Sequence, residues 1–313
     1  MTDRPFRQMD VFTTAPGWGN PLAVVLDATG LDDAAMQRFA RWTNLSETTF
    51  VLPPTEAGRA GGADYRVRIF TPGGELPFAG HPTLGTCRAW LDTGGVPRVP
   101  GQVVQECGVG LVTLRQHGTQ LAFAAPPLRR SAPDAGLLAK ITTALGLTPN
   151  QVVAAQMLDN GPVWLGLLLD RAETVRHCDP DHAQLAEIGQ KVGIASVIRS
   201  SFATELISRS SREARAFVRS APPPERTDPE GDADLEVRAF AAPIGVNEDP
   251  VTGSLNASLA QWLIADGVLP DQYVAVQGLC LGRAGRVFLT RDSTDQVWVG
   301  GDVAPCIDGT VQL

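Results

Sequence analysis

The chain has 313 residues, of which 43% are hydrophobic and 19% charged, so it can bury a sizeable core and is unlike disordered chains. Its net charge of −8, without a cluster of Lys or Arg, argues against nucleic-acid binding, because neutralising phosphates requires a basic face. The start is polar and the apolar runs are short, so we expect a cytoplasmic protein without membrane association.

Strand-like and helix-like segments alternate along the chain and predict a mixed α/β fold. The strand-like runs are 21–27, 65–70, 110–114, 163–170, 235–240 and 286–290. The helix-like segments run from Asp32 to Thr43, Thr83 to Asp92, Ala135 to Leu145, Asp181 to Val192 and Gly253 to Asp266. The Pro-rich stretch 221–234 is predicted to be an exposed loop between strands.

An internal repeat relates the two halves of the chain. Segments 65–95 and 235–267 each open with a strand containing V-R-x-F, pass through [His/Asp]-Pro-x-x-Gly and enter a helix that ends at Gly. Segments 21–51 and 163–198 each read as strand, helix, strand, in the same order. We infer a duplication, and the cleft between two such halves is a common place for small-ligand sites.

The repeat alignment places His81 opposite Asp249 and Gly85 opposite Gly253. Each half then aims the start of a helix at the cleft, and two such starts can bind an anion such as a carboxylate without a cofactor. Without this alignment, Asp249 would be interpreted as a helix N-cap, because capping is the commoner role of an Asp that precedes a helix. Opposite a His, it becomes half of a plausible acid/base or substrate-holding pair.

Glu47 and Ser254 are further candidates for this cleft. An isolated Glu at a strand start is usually a surface residue, but Glu47 stands beside small hydroxyl residues and an apolar strand, where burial would raise its pKa. Ser254, at a predicted helix start, could donate a hydrogen bond to an anionic ligand, and Asn256 could assist. The G-x-S-x-G motif is missing from the sequence, which argues against a hydrolase triad.

Several other motifs are predicted to have no catalytic role. Cys107 lies in a Cys-Gly-x-Gly sequence that resembles a racemase motif, but a strand follows it, so we interpret it as a turn or strand residue. The five cysteines form no C-x-x-C pair and no Cys/His cluster occurs, which argues against a disulfide framework and a metal site. Five tryptophans are predicted to be core residues, namely Trp42, Trp90, Trp164, Trp262 and Trp298.

Four motifs in order, 18-WGNPLAVV-25, 44-NLSETTFV-51, 79-AGHPTLGT-86 and 249-DPVTGSLN-256, together resemble the PhzF family of phenazine-biosynthesis-like isomerases. The resemblance implies an α+β chain with the diaminopimelate epimerase fold. Two similar domains, each a rolled, mostly antiparallel sheet around a central helix, would be related by a pseudo-two-fold axis. We predict an N-terminal domain over 1–120, completed by 303–313, and a C-terminal domain over 121–302.

The resemblance also implies a function. It implies a proton shift on trans-2,3-dihydro-3-hydroxyanthranilate or another small cyclic or amino-acid-like carboxylate, without metal or cofactor, in a homodimer. Glu47 would be the general acid/base. The other implied site residues are His81 and Asp249 as catalytic residues, and Gly80, Gly253, Ser254 and Asn20 as substrate-binding residues. Two readings stay open beside this one, an amino-acid epimerase without thiols and a non-catalytic carboxylate binder.

Overall fold

A computed structural model describes residues 2–198 and 233–313, so most of the predicted loop 221–234 lies outside the described residues. The strands of the first half are β1 Asp3–Val11, β2 Asn20–Val25, β3 Thr48–Leu52, β4 Tyr65–Thr71, β5 Gly74–Leu76, β6 Gln102–Cys107, β7 Gly110–His117, β8 Gln120–Ala124 and β9 Arg129–Ser131. Those of the second half are β10 Val152–Asp159, β11 Val163–Leu169, β12 Lys191–Val197, β13 Leu235–Ala241, β14 Val246–Asp249, β15 Gln272–Gln277, β16 Gly285–Arg291, β17 Val297–Gly301 and β18 Val303–Gln312.

Seven α-helices accompany these strands in the described part of the chain. They are α1 Asp33–Thr43, α2 Glu56–Ala60, α3 Gly80–Asp92, α4 Ala135–Ala144, α5 Ala172–His177, α6 His182–Ile188 and α7 Gly253–Ala265. Three short 3₁₀ turns cover Pro149–Gln151, Ala242–Ile244 and Leu279–Leu281. The mixture of helices with one large, mostly antiparallel sheet confirms the predicted fold class.

The strand pairing repeats from one half to the other. In the first half β1–β2 is antiparallel, β2–β3 parallel, β3–β4 antiparallel, β4–β6 parallel, and β6–β7–β8 antiparallel. The series β10–β11, β11–β12, β12–β13, β13–β15 and β15–β16–β17 has the same directions. β5 pairs with β4 as β14 pairs with β13. Each half is therefore the same folding pattern built from a different sequence.

The two halves join through strands that cross between them. β8 pairs with β17, while β9 pairs with β10 and the C-terminal β18 pairs with β1. The last strand of each half thus pairs with the first strand of the other half. The domain limits at 120/121 and 302/303 stay a prediction.

Helices α3 and α7 lie at the centre of the two halves. Each has 13 residues, and most of them are buried. A helix that is buried nearly all round needs small or apolar residues on every face, and α7 shows this in Leu255, Ala257, Leu259 and Ala260. The main core cluster surrounds both helices, so their start points are fixed by packing rather than by exposed loops.

Several predicted elements differ from the structure. The helix predicted from Asp181 to Val192 ends at Ile188, because Gly189 adopts φ 77° and ends it, and β12 begins at Lys191. Trp42, predicted to be in the core, is 79% exposed and stacks on Phe39, because it lies on the outer face of α1.

The predicted alignment of the repeat is also wrong by several residues at its key point. The helix predicted to begin at Thr83 begins at Gly80, and Gly80 rather than Gly85 is the counterpart of Gly253. The last residue of β5 is Leu76 and that of β14 is Asp249, so Asp249 matches Leu76 and not His81. The two X-Pro-x-x-Gly motifs look alike but differ in backbone, because Pro82 fits the first helical turn, where no N–H partner is needed.

Candidate active site

The N-termini of α3 and α7 meet at one point. A Cβ atom on Gly80 would lie 3.2 Å from Gly253 Cα and 2.7 Å from Phe123 Cζ, and one on Gly253 would lie 3.1 Å from Gly80 Cα. Neither helix start has a side-chain cap. Glycine is thus required for the close approach, and the free N–H groups of both helices point into one small region that suits an anion. Substrate contact by Gly80 and Gly253 stays a prediction.

His81 and Glu47 face each other at this junction. His81 is the second residue of α3 and is buried, and Glu47 directly precedes β3. The distance from His81 Nε2 to Glu47 Oε2 is 3.4 Å. Both atoms are buried without a hydrogen-bond partner, as is the neighbouring Ser46 Oγ. Since buried polar groups are nearly always paired, these two atoms have hydrogen-bonding capacity that a bound molecule could use.

Burial sets the protonation of the three ionisable groups at the junction. It raises the pKa of Glu47 to about 7 and that of Asp249 to about 6. It lowers the pKa of His81 to about 4, although Asp249 and Asp10 act in the opposite direction. At neutral pH His81 is therefore neutral, Asp249 is mostly ionised, and Glu47 is divided between its two forms. A carboxyl group with a pKa near the working pH is suited to proton transfer.

Asp249 is held by donors from both halves of the molecule. Asn20 Nδ2 donates to Asp249 Oδ1 at 2.9 Å and to Val251 O at 2.9 Å, and it lies 3.5 Å from His81 Nδ1. Thr252 Oγ1 donates to Asp249 Oδ2 at 2.6 Å. The N-cap residue of α7 is Thr252, so the alternative role of Asp249 as a helix cap is wrong, because β14 still includes it. Asn20 Oδ1 stays buried without a partner.

A buried amide behind Asp249 was missed from the sequence. Gln277, the last residue of β15, accepts from Thr252 N and Asn256 Nδ2 and donates to Asp249 O and Thr252 Oγ1. Asn256 also donates to Thr252 O, so it supports the loop before α7, and the proposed assistance to a ligand rests on its unpartnered Oδ1. Gln277 stands in a strand that carries no motif, and only its pairing next to β13 brings it here.

Ser254 lies at the helix start, as predicted, and is the counterpart of His81 in α7. Its Oγ accepts a hydrogen bond from Trp164 Nε1 at 3.1 Å, which leaves the hydroxyl hydrogen available for a ligand. Its carbonyl oxygen accepts from Asn160 Nδ2 at 2.9 Å and from Ser258 Oγ at 3.0 Å. Asn160, also missed from the sequence, has a buried Oδ1 without a partner.

The cysteines stand away from the helix starts. Cys107 ends β6, as the motif predicted, and Cys87 lies two turns inside α3. Burial raises the pKa of both thiols. Among residues 2–198 and 233–313, no group of three or more His, Cys, Asp or Glu side chains could hold a metal ion. None of the helices in the same ranges is long and apolar enough to cross a membrane.

Two repeated halves meet at uncapped helix starts, with two carboxyl groups and a neutral imidazole close by, and this arrangement defines an epimerase-like fold. Residues 9–309 match the family model PhzC-PhzF, described as phenazine biosynthesis-like protein. The chain therefore belongs to the PhzF family.

Named relatives and a solved structure agree with this assignment. The chain is 33% identical to "Antisense-enhancing sequence 1" of Schizosaccharomyces pombe, with 99% of each chain covered. It is 30% identical to "Trans-2,3-dihydro-3-hydroxyanthranilate isomerase" of Pseudomonas aeruginosa, over 97% of this chain and 98% of the relative. The crystal structure of a PhzF-family phenazine biosynthesis protein from Bacillus anthracis has the same fold, with a TM-score of 0.77, 20% identity and full coverage of both chains.

Proposed function

We propose that the chain is a cofactor-independent isomerase that moves a proton on a small cyclic or amino-acid-like carboxylate, with Glu47 as the general acid/base. The observation that carries the proposal is the pair of buried, unpartnered atoms Glu47 Oε2 and His81 Nε2 at the junction of the two helix starts. The isomerase name of the Pseudomonas aeruginosa relative supports the type of reaction and suggests trans-2,3-dihydro-3-hydroxyanthranilate as a test substrate.

The proposed reaction uses these groups in three roles. The carboxylate of the substrate binds the free N–H groups at the starts of α3 and α7, together with the Ser254 hydroxyl. Ionised Glu47 takes a proton from a carbon beside an unsaturated system, and the electron pair of that C–H bond shifts into the system. The protonated Glu47, whose proton can exchange with solvent before it is returned, then delivers a proton to a different carbon, so the atoms of the substrate balance. His81 and Asp249 orient the amino or hydroxyl group of the substrate.

The two states of Glu47 must both be accessible for this cycle. Burial brings its pKa to about 7, so the carboxylate can accept a proton and the acid can give it back near neutral pH. Neutral His81 beside it adds no positive charge that would hold Glu47 ionised. The arrangement therefore favours proton exchange at Glu47 over a fixed ion pair.

The test is the Glu47→Gln variant, assayed with trans-2,3-dihydro-3-hydroxyanthranilate in deuterated water by NMR. Gln has nearly the same shape but cannot exchange a proton, so we expect isomerisation and deuterium incorporation to fall by about 10²-fold or more. Glu106→Gln is the matched control. It makes the same change at a carboxylate that binds Thr55 N and Oγ1, away from the junction, and should keep wild-type rates.

Exchange at the wild-type rate in the Glu47→Gln variant would show that Glu47 is not the base. The same experiment separates isomerisation from epimerisation, since an epimerase would incorporate deuterium at a carbon that keeps its bonding but inverts. A two-thiol racemase mechanism is disfavoured, because no cysteine stands at Gly80 or His81 at the start of α3, or at Asp249 before α7.

A further inference from the structure

Gln277 is a buried amide with all of its hydrogen-bonding capacity in use. Its Nε2 donates to Asp249 O at 2.9 Å and to Thr252 Oγ1 at 2.9 Å. Its Oε1 accepts from Thr252 N at 3.0 Å and from Asn256 Nδ2 at 2.8 Å. An amide has two hydrogens and two lone pairs, so these four contacts fix which atom is oxygen and which is nitrogen.

This orientation determines the direction of the Thr252 hydroxyl. Thr252 Oγ1 accepts a hydrogen from Gln277, so its own single hydrogen must go elsewhere. The acceptor 2.6 Å away is Asp249 Oδ2. The hydrogen bonds therefore run in one direction, from Gln277 through Thr252 to the carboxylate.

The other oxygen of Asp249 also accepts. Asn20 Nδ2 donates to it at 2.9 Å, and Asn20 cannot be turned over because the same nitrogen donates to Val251 O. A carboxylate that accepts at both oxygens is stabilised in its charged form. Glu47 Oε2, in contrast, is buried without a hydrogen-bond partner.

We propose that Thr252, oriented by Gln277, is a positioning residue that keeps Asp249 as the fixed anionic acceptor of the site and so leaves proton exchange to Glu47. The catalytic consequence of this positioning rests on the proposed function, whereas its effect on the charge of Asp249 does not. It assigns the two acids different tasks, since one holds a donor group of the substrate and the other carries the proton.

The charged and ionisable groups around Asp249 come from three elements. His81 faces it from α3, Glu47 faces it from the segment before β3, and Asp10 on β1 acts on His81. Burial opposes ionisation of Asp249, whereas the hydroxyl of Thr252 and the amide of Asn20 favour it. Removing one donor should therefore shift the balance towards the protonated acid.

The experiment measures the titration of Asp249 itself. The protein is labelled with ¹³C at its aspartate carboxyl groups, the signal is assigned with Asp249→Asn, and the pKa is read by NMR without substrate. Thr252→Val keeps the shape and removes the donor, so we expect the pKa of Asp249 to rise by about one unit, while Thr252→Ser keeps the wild-type value. Thr252→Ala provides a second variant that lacks the hydroxyl, should the Val variant fail to fold.

Thr174→Val is the matched control. The Thr174 hydroxyl donates to Asp170 Oδ1 at 2.7 Å on α5, so the variant removes an equivalent bond far from the junction. It should raise the pKa of Asp170 and leave that of Asp249 unchanged. A folded Thr252→Val or Thr252→Ala variant with the wild-type pKa at Asp249 would overturn the proposal.

The pH profile of turnover gives a second readout. In Thr252→Val the acidic limb of the profile should move to higher pH, and in Thr252→Ser it should stay at the wild-type pH. Because the titration needs no substrate, its result does not depend on the proposed isomerase activity. If Glu47→Gln keeps full exchange while Thr252→Val shifts the pKa, the proposed function fails and the positioning role survives. A shifted pKa with an unshifted pH profile would restrict Thr252 to an electrostatic role outside the reaction.

Discussion

The two halves of the molecule share one backbone pattern but bring different side chains to their junction. Both central helices begin with glycine, and the next residue is His81 in one half and Ser254 in the other. The strand before each helix ends at Leu76 in the first half and at Asp249 in the second. The parallel neighbour of β4 ends at Cys107, and the parallel neighbour of β13 ends at Gln277. The backbone pattern is therefore repeated in the two halves, whereas the side chains at the junction differ.

The difference lies in how completely the two acidic side chains, Asp249 and Glu47, are paired. The second half supplies Asp249, Thr252 and Gln277, whose hydrogen bonds form a closed network. The first half supplies Glu47 and His81, each with a buried atom that has no partner. A satisfied network holds its members still, and unsatisfied groups are ready to bind or exchange. In the proposed reaction, the second half positions the substrate and the first half transfers the proton.

Making the helix starts alike should have the largest effect on activity. His81→Ser gives α3 the second residue of α7, and we expect the isomerisation rate to fall by about 10²-fold, because the variant loses the imidazole that orients the substrate beside Glu47. Ser254→Ala is the comparison, with an expected loss of about tenfold or less, since it removes one hydroxyl contact. Both rates are measured by NMR with the test substrate. Equal losses from the two variants would show that the halves contribute alike.

The unpaired state of Glu47 should also be visible in stability. Its pKa rises from 4.5 to about 7 on folding, so the folded state keeps a proton that the unfolded state loses as the pH rises through this window. Stability due to this group is therefore present below about pH 4.5 and lost towards pH 7. The Glu47→Gln variant cannot ionise at this position, so it avoids this loss of stability. Above about pH 7, its free energy of unfolding should therefore exceed that of the wild type by about 3 kcal/mol.

Urea unfolding at about pH 4 and about pH 8 checks this expectation. The gain should appear at the higher pH and vanish at the lower one. Glu106→Gln should show no gain at either pH, because Thr55 already binds that carboxylate. A stabilised but inactive Glu47→Gln variant would fit a site that trades stability for function. A variant with wild-type stability at both pH values would contradict the buried, unpaired position of Glu47.

The sequence predicts the fold better than the alignment of the two repeats. Periodic apolar segments and the repeated motifs give the two halves, and the motifs bring together Glu47, His81 and Asp249, which the structure places at one junction. The repeat alignment fails at the helix starts because His-Pro-x-x-Gly lies inside α3 and Asp-Pro-x-x-Gly precedes α7. Matching letters do not distinguish a Pro in a first helical turn from one in an extended loop.

Other parts of the site depend on contacts that only the folded chain creates. Gln277 and Asn160 belong to no motif, and they reach the junction through strand pairing and a turn next to α7. Trp42 lies in an amphipathic helix, yet its side of α1 faces solvent. Side-chain direction within such a segment is decided by neighbours far away in sequence, so local patterns cannot provide it.

The smallest expected effect tests whether positioning also occurs at the other helix start. Trp164 Nε1 donates to Ser254 Oγ, as Thr252 donates to Asp249. Trp164→Phe keeps an aromatic ring in the buried site but removes this donor, so the Ser254 hydroxyl can rotate and its contact with the substrate weakens. We expect KM to rise by about three- to tenfold, corresponding to one neutral hydrogen bond, with kcat nearly unchanged.

Trp262→Phe is the matched control for this prediction. Trp262 is equally buried, but its Nε1 donates to Asp266 at the far end of α7. Both variants should lose some stability, and only Trp164→Phe should raise KM. If the two variants change KM alike, the effect comes from packing of the core around α7, and the indole of Trp164 does not position Ser254. A rise in KM that disappears in the Ser254→Ala background would instead trace the effect to the hydroxyl, because two changes that act through one hydrogen bond are not additive.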